Sequence, residues 1–177
     1  VRDAFLARGH YAMSVDLLPT ESPGRPHYQG DVCDVLFGEW DMVIAHPPCT
    51  RLTNAGVRWL HERNLWGELD EACALFRMLL DAPCGRVAVE NPIMHKHAVE
   101  RIGHRHDQVV QPWQFGHGET KAITLWLRGL PPLRPTAVVA GREARVHRMA
   151  PGPDRAKERS RFFAGVAAAM ADQWGSI

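Results

Sequence analysis

Apolar and polar positions change period several times along the chain, and the changes predict short strands alternating with amphipathic helices. Residues 1–9 read as a helix that stops at Gly9, a residue suited to ending one. YAMSVDLL, residues 11–18, is a short strand-like run ending at Asp16. A polar, Pro-rich loop from Pro19 to Pro26 follows, and then HYQGDV. WDMVIA, residues 40–45, reads as the clearest buried strand and leads straight into His46-Pro47-Pro48-Cys49. From about Leu65 to Leu80 the positions Leu69, Ala72, Cys73, Phe76, Leu79 and Leu80 keep i, i+3, i+4, i+7 spacing, which predicts one helix. RVAVENP is a further strand ending at Glu90, followed by a short helix around 95–102 and a strand, TLWL, at 124–127. GLPPLRPT reads as a loop. The tail from about Asp154 to Trp174 closes with a helix carrying Phe162, Phe163, Val166, Met170 and Trp174 on one side.

This alternation predicts a doubly wound α/β fold, a mostly parallel sheet flanked by helices, in one domain spanning residues 1–177. In such sheets ligands bind beyond the carboxyl ends of the strands. Asp16, the Pro-Pro-Cys run and Glu90 all stand at ends of that kind.

Composition narrows the picture less than the pattern does. Hydrophobic content of 45% and charged content of 23% are those of an ordinary globular chain. A net charge of +1 provides no global basic field. Arginines number 18 against 3 lysines, which suits bidentate contacts to phosphates and base edges and equally suits a GC-rich genome. The four cysteines form no CxxC and there is no secretory signal, so a reduced, cytoplasmic chain is expected. No apolar run approaches the ~20 residues that span a bilayer. A zinc deaminase requires H-x-E before P-C-x-x-C; here His117-Gly118-Glu119 follows Pro48-Cys49 and no second cysteine is in place.

The candidate chemistry lies in two motifs. Two prolines ahead of Cys49 stiffen a turn at a strand end, because each fixes its φ and removes an amide donor. A thiol there is either held beside a substrate or buried as a small hydrophobe. Glu90 emerges from an apolar strand toward the same crevice, although glutamate is a poor turn former.

Pro48-Cys49 and Glu90-Asn91, in this order at consecutive strand ends, resemble the DNA cytosine-5 methyltransferases. The Pro-Pro-Cys-Thr and Glu-Asn-Pro forms are most similar to small phage-type members. The resemblance covers roughly residues 1–127 and, more loosely, the tail helix. It implies a Rossmann-like methyltransferase fold and transfer of a methyl group from S-adenosylmethionine to carbon 5 of cytosine in DNA. Cys49 would be the nucleophile and Glu90 the acid at ring nitrogen 3, with Asn91 holding that carboxyl or a nearby loop. Asp16 would bind the ribose hydroxyls, Asp31 of Gly30-Asp31 the adenine, and Pro47 would stand beside the cofactor. Cys33, Cys73 and Cys84 are assigned to packing.

The departures carry expectations of their own. The family's glycine-containing loop after strand one is missing, and a start at Val1 suggests that the first strand and its loop lay upstream. Its Gln-x-Arg-x-Arg motif is absent, with Lys121 a possible stand-in for an arginine. No separate target-recognition domain fits between TLWL and the tail. Two other enzymatic readings stay open: an amino-methyltransferase, which shares the Pro-Pro turn, and transfer of a carboxymethyl group from a modified donor read by Lys121 or an arginine. A non-catalytic nucleic-acid-binding module on the same fold is the reading from another class.

Candidate substrate contacts are Arg51, Gln114, His117, Lys121, Arg159 and Arg161. Arg51 is a thiolate or phosphate partner, or a solvated charge; His46 reads as structural more than catalytic. Residues 111–121 mix aromatic and polar groups as a nucleobase pocket does, with Gly116 and Gly118 making a flexible loop, or else Trp113 and Phe115 pack it onto the core. Arg142, Arg145, His147, Arg148, Arg155, Lys157, Arg159 and Arg161 either grip a phosphate backbone or form a solvated face, diluted by Glu143, Asp154 and Glu158.

Overall fold

A computed structural model describes residues 1–152 and 155–177, with the side chains of His147 and Ala156 outside the description. Its elements, in chain order, are α1 (Arg2–Leu6), β1 (Ser14–Asp16), β2 (His27–Gln29), β3 (Val43–Ala45), α2 (Val57–Glu62), α3 (Trp66–Leu80), β4 (Val87–Asn91), α4 (Lys96–Ile102), β5 (Gln108–Val110), β6 (Ile123–Arg128), α5 (Arg145–Arg148), α6 (Arg155–Ser160) and α7 (Ala164–Trp174). The class is mixed α/β, with small sheets and flanking helices. Two compact units result. One comprises Val1–Val35, Gln111–Lys121 and Leu133–Ile177; the other comprises Leu36–Val110 and Ala122–Pro132.

The second unit holds a four-stranded sheet of order β3-β4-β6-β5. β3 and β4 are parallel, with Val43 opposite Val87 and Ala45 opposite Val89. β6 runs antiparallel to both of its neighbours. Three strands therefore share a direction and β6 alone is reversed, which corrects the mostly parallel expectation to a mixed sheet. A parallel return needs a crossover, usually a helix. The connection from β3 to β4 contains α2 and α3, whereas the stretch from β5 to β6 holds only a 3-10 turn at Pro112–Gln114.

β4 is buried at Val87, Ala88, Val89 and Asn91, which explains its unbroken apolar run. Leu69, Cys73, Phe76 and Leu79 of α3 are buried, as their spacing predicts. Phe76 meets Trp126 of β6 edge-on, ring centroids 4.8 Å apart, and the indole Nε1 donates to the His104 carbonyl. β3 is only half-buried, against the expectation of the clearest buried strand, because its one sheet partner is β4. α4 stops at Gly103, whose φ of +78° is readily adopted only by glycine.

In the first unit β1 and β2 form a parallel pair in which Asp16 faces Gln29, and α1 packs on α7. The tail is two helices rather than the single one expected from about Asp154, a residue outside those described. The break falls at 161–163, where Phe163 takes an extended backbone and is buried. Val166, Met170 and Trp174 are buried as the pattern predicts, and Phe162 is half-buried. None of the four cysteines is in a disulfide. Cys73 is buried and Cys84 half-buried, its thiol donating to the Arg86 carbonyl at 3.3 Å. Cys33 is exposed on a 3-10 turn, so its assignment to packing is corrected.

Candidate active site

Parallel pairing of β3 and β4 sets the site. Since Ala45 lies opposite Val89, the residues that follow, His46 and Glu90, become neighbours at the carboxyl ends of the two strands. His46 Nδ1 lies 3.1 Å from Glu90 Oε2. The Glu90 side chain retains 14% of its exposure and His46 35%, so the pair sits at a surface reachable by a ligand.

β4 runs one residue further than the pattern suggests, through Asn91, which pairs with Thr124 of β6. Alternation along a strand sends neighbouring side chains to opposite faces. The Asn91 side chain is fully buried, and neither its amide nitrogen nor its oxygen has a hydrogen-bond partner. It therefore does not hold the Glu90 carboxyl, which corrects that expectation. What Asn91 does accept, at its backbone carbonyl, is the Thr124 hydroxyl at 2.5 Å.

Beyond β3 the chain turns through Pro47, which is buried, and Pro48, which is exposed, to the half-buried Cys49. The Cys49 carbonyl accepts from the amides of Leu52, at 3.0 Å, and Thr53, at 3.1 Å, closing a tight turn. That turn is tied to the segment just past β4. The His95 amide donates to the Leu52 carbonyl at 3.0 Å, and Thr53 bridges Met94. His95 Nε2 bonds the Arg51 carbonyl at 2.8 Å, while Nδ1 accepts from the Ala98 amide at 3.1 Å and caps α4. These partners require the proton on Nε2 and a lone pair on Nδ1. Burial pushes the His95 pKa down. Arg51 is paired with Glu68 at 2.8 Å, so its charge is already matched by a carboxylate.

Asp16 and Asp31 belong to the other unit. Both are exposed, and the Asp16 carbonyl accepts from the Gly30 amide, so they share the carboxyl ends of β1 and β2. One Asp16 oxygen accepts from the Leu18 amide at 2.9 Å. Asp31 caps the 3-10 turn through the Cys33 amide, and that hydrogen bond holds its carboxyl below the usual carboxylate range. Leu17 and Leu18 stand exposed beside Asp16.

The expected substrate contacts in this unit are largely occupied with one another. Gln114 accepts from the Gln111 amide, and Lys121 Nζ donates to the carbonyls of Arg159, at 2.7 Å, and Arg161, at 3.4 Å. His117 Nε2 accepts from the Gly165 amide at the start of α7. Arg161 pairs with Glu158, Arg145 with Glu119 and Lys157 with Glu21, and Arg142 stacks on Trp113. His117 and Arg161 of the expected contacts line a common cavity of about 180 Å³, together with Glu119 and Phe163. Residues 111–121 are not the flexible loop expected of Gly116 and Gly118. Gly116 donates to Ala137, Val139 to Trp113, Thr120 to Glu143 and Glu143 to Gly118, and Phe115 is buried.

Pattern reading missed His46 as the partner of Glu90 and His95 as the tie to the Cys49 turn. The signal for the first was a histidine directly before the Pro-Pro turn; the second had none, because it depends on which segments meet. Among the described residues no group of three histidine, cysteine or acidic side chains is placed to hold a metal ion, and no helix is long and apolar enough to cross a membrane. The chain matches no protein-family model and no curated protein sequence.

Proposed function

We propose that the chain is a DNA cytosine-5 methyltransferase of Rossmann-like fold, acting through a covalent adduct between Cys49 and carbon 6 of the base. The observation that carries this reading is the parallel register of β3 and β4, by which the Pro-Pro-Cys turn and Glu90 leave one sheet edge side by side. Carbon 5 of cytosine is too electron-poor to take a methyl group unaided. Addition of the Cys49 thiolate to carbon 6 makes the ring an enamine that is nucleophilic at carbon 5. Glu90 supports the charge that develops at ring nitrogen 3. Carbon 5 would then take the methyl group as the donor's sulfur–methyl bond breaks, and loss of the carbon-5 proton to solvent water expels the thiolate and restores the ring. The base must be flipped from a duplex or presented on a single strand.

The donor set at β1 and β2 fits a nucleoside: Asp16 and Asp31 are exposed carboxylates at one edge, suited to accept from ribose hydroxyls and an exocyclic amine. S-adenosylmethionine, when bound, supplies an activated methyl group.

Trapping on an oligonucleotide carrying 5-fluorocytosine, with S-adenosylmethionine present, tests the reading, because fluorine cannot leave carbon 5 as a proton does. The expected result is an adduct mapping to Cys49. Absence of an adduct, with binding of cofactor and DNA demonstrated, would overturn it in favour of transfer to an amino group. Absence of cofactor binding would leave a non-catalytic nucleic-acid-binding module.

A further inference from the structure

Among the described residues, the Glu90 carboxyl has a single hydrogen-bonding side chain, that of His46. Asn91, adjacent in sequence, is buried and makes no such bond. The backbone around His46 is well placed to hold the imidazole still. A residue before proline is confined to extended conformations, and Pro47 itself is buried. The strand register fixes the other side, since Val89 and Asn91 on either side of Glu90 are both in ladders and buried.

We propose that His46 is the positioning residue for Glu90, occupying Oε2 through Nδ1–H so that Oε1 is the oxygen presented to ring nitrogen 3. The inference rests on the function proposed above and adds the group that orients its acid. The chemistry follows from the two carboxyl oxygens becoming inequivalent. An oxygen that already accepts from Nδ1–H is the carbonyl-like one, so a proton carried by Glu90 resides on Oε1. From there it is donated to ring nitrogen 3 as the thiolate adds to carbon 6. Without His46 the carboxyl is free to rotate and to present either oxygen, protonated or not. The loss then falls on the chemical step rather than on binding, because His46 engages the acid and not the phosphate backbone.

The test uses the step that needs no methyl donor. Thiolate addition makes carbon 5 basic; a solvent proton adds there, the original hydrogen leaves, and thiolate expulsion regenerates cytosine. Release of tritium from DNA containing 5-tritiated cytosine reports this cycle with atoms balanced and nothing oxidised. His46→Phe is expected to lower kcat for release by about 10²-fold with KM for DNA nearly unchanged. His46→Asn, whose amide nitrogen replaces the Nδ1 donor, is expected to recover most of the loss. In a Glu90→Gln background, His46→Phe should add nothing, as for two residues acting through one contact. Wild-type kcat in His46→Phe would overturn the inference, as would equal losses in the Phe and Asn variants or additive losses with Glu90→Gln. A wild-type chain that neither releases tritium nor forms the fluorocytosine adduct would instead remove the function on which the inference stands.

Discussion

Replacing Cys49 by alanine deletes one half-buried sulfur at the end of a turn closed by the Leu52 and Thr53 amides donating to the Cys49 carbonyl, bonds that alanine keeps. The turn therefore survives the change, and the proposed nucleophile does not. Cys49→Ala is expected to abolish methyl transfer while shifting Tm by no more than a few degrees, as activity and melting measured on one preparation would report. Full activity in that variant would exclude the covalent mechanism and leave the fold untouched. Arg51 provides a contrast at the same scale. Its type suggested a partner for a thiolate or phosphate, but Glu68 takes its guanidinium in a partly exposed pair of the kind worth ~0–1 kcal/mol.

His95 acts at the level of elements, because one imidazole joins the start of α4 to the Cys49 turn. Its neutral tautomer is required at both ends, and burial favours that neutral form by lowering its pKa from the ordinary ~6.5. The unfolded chain thus binds the proton first. The contribution to stability is fully present above pH ~6.5 and is lost as pH falls from there toward the lower folded value. His95→Asn keeps an acceptor at the cap but cannot titrate. Urea midpoints at pH 7.5 and 5.5 should fall more steeply in the wild-type chain than in His95→Asn; parallel falls would show that other groups set the acid sensitivity. Loss of a cap of this kind costs about 1 kcal/mol, enough to loosen the site before the unit unfolds.

Each compact unit is assembled from chain segments distant in sequence, and that scale decides what local pattern could not. In the unit containing α7, Gly165 lies against the Phe115 carbonyl and the His117 ring, so an added methyl has no room. Gly165→Ala is expected to cost about 1–3 kcal/mol through overpacking, read as a lower urea midpoint; unchanged stability would contradict this packing. The sequence by itself determined the α/β class, the span of α3, the apolar interior of β4, the buried side of α7 and the residue types at two strand ends. Those features follow from periodicity and local backbone chemistry, which a linear pattern records. It did not determine the reversed direction of β6, the break before Phe163 or the partners of Glu90, Arg51 and Lys121. Strand direction depends on which connections carry a crossover, and a side chain's partner depends on register between segments separated by tens of residues. Only the tertiary structure brought His46 to Glu90, buried Asn91 away from it and closed residues 111–121 against 137–143, because hydrogen bonds and ion pairs form between groups that folding makes neighbours.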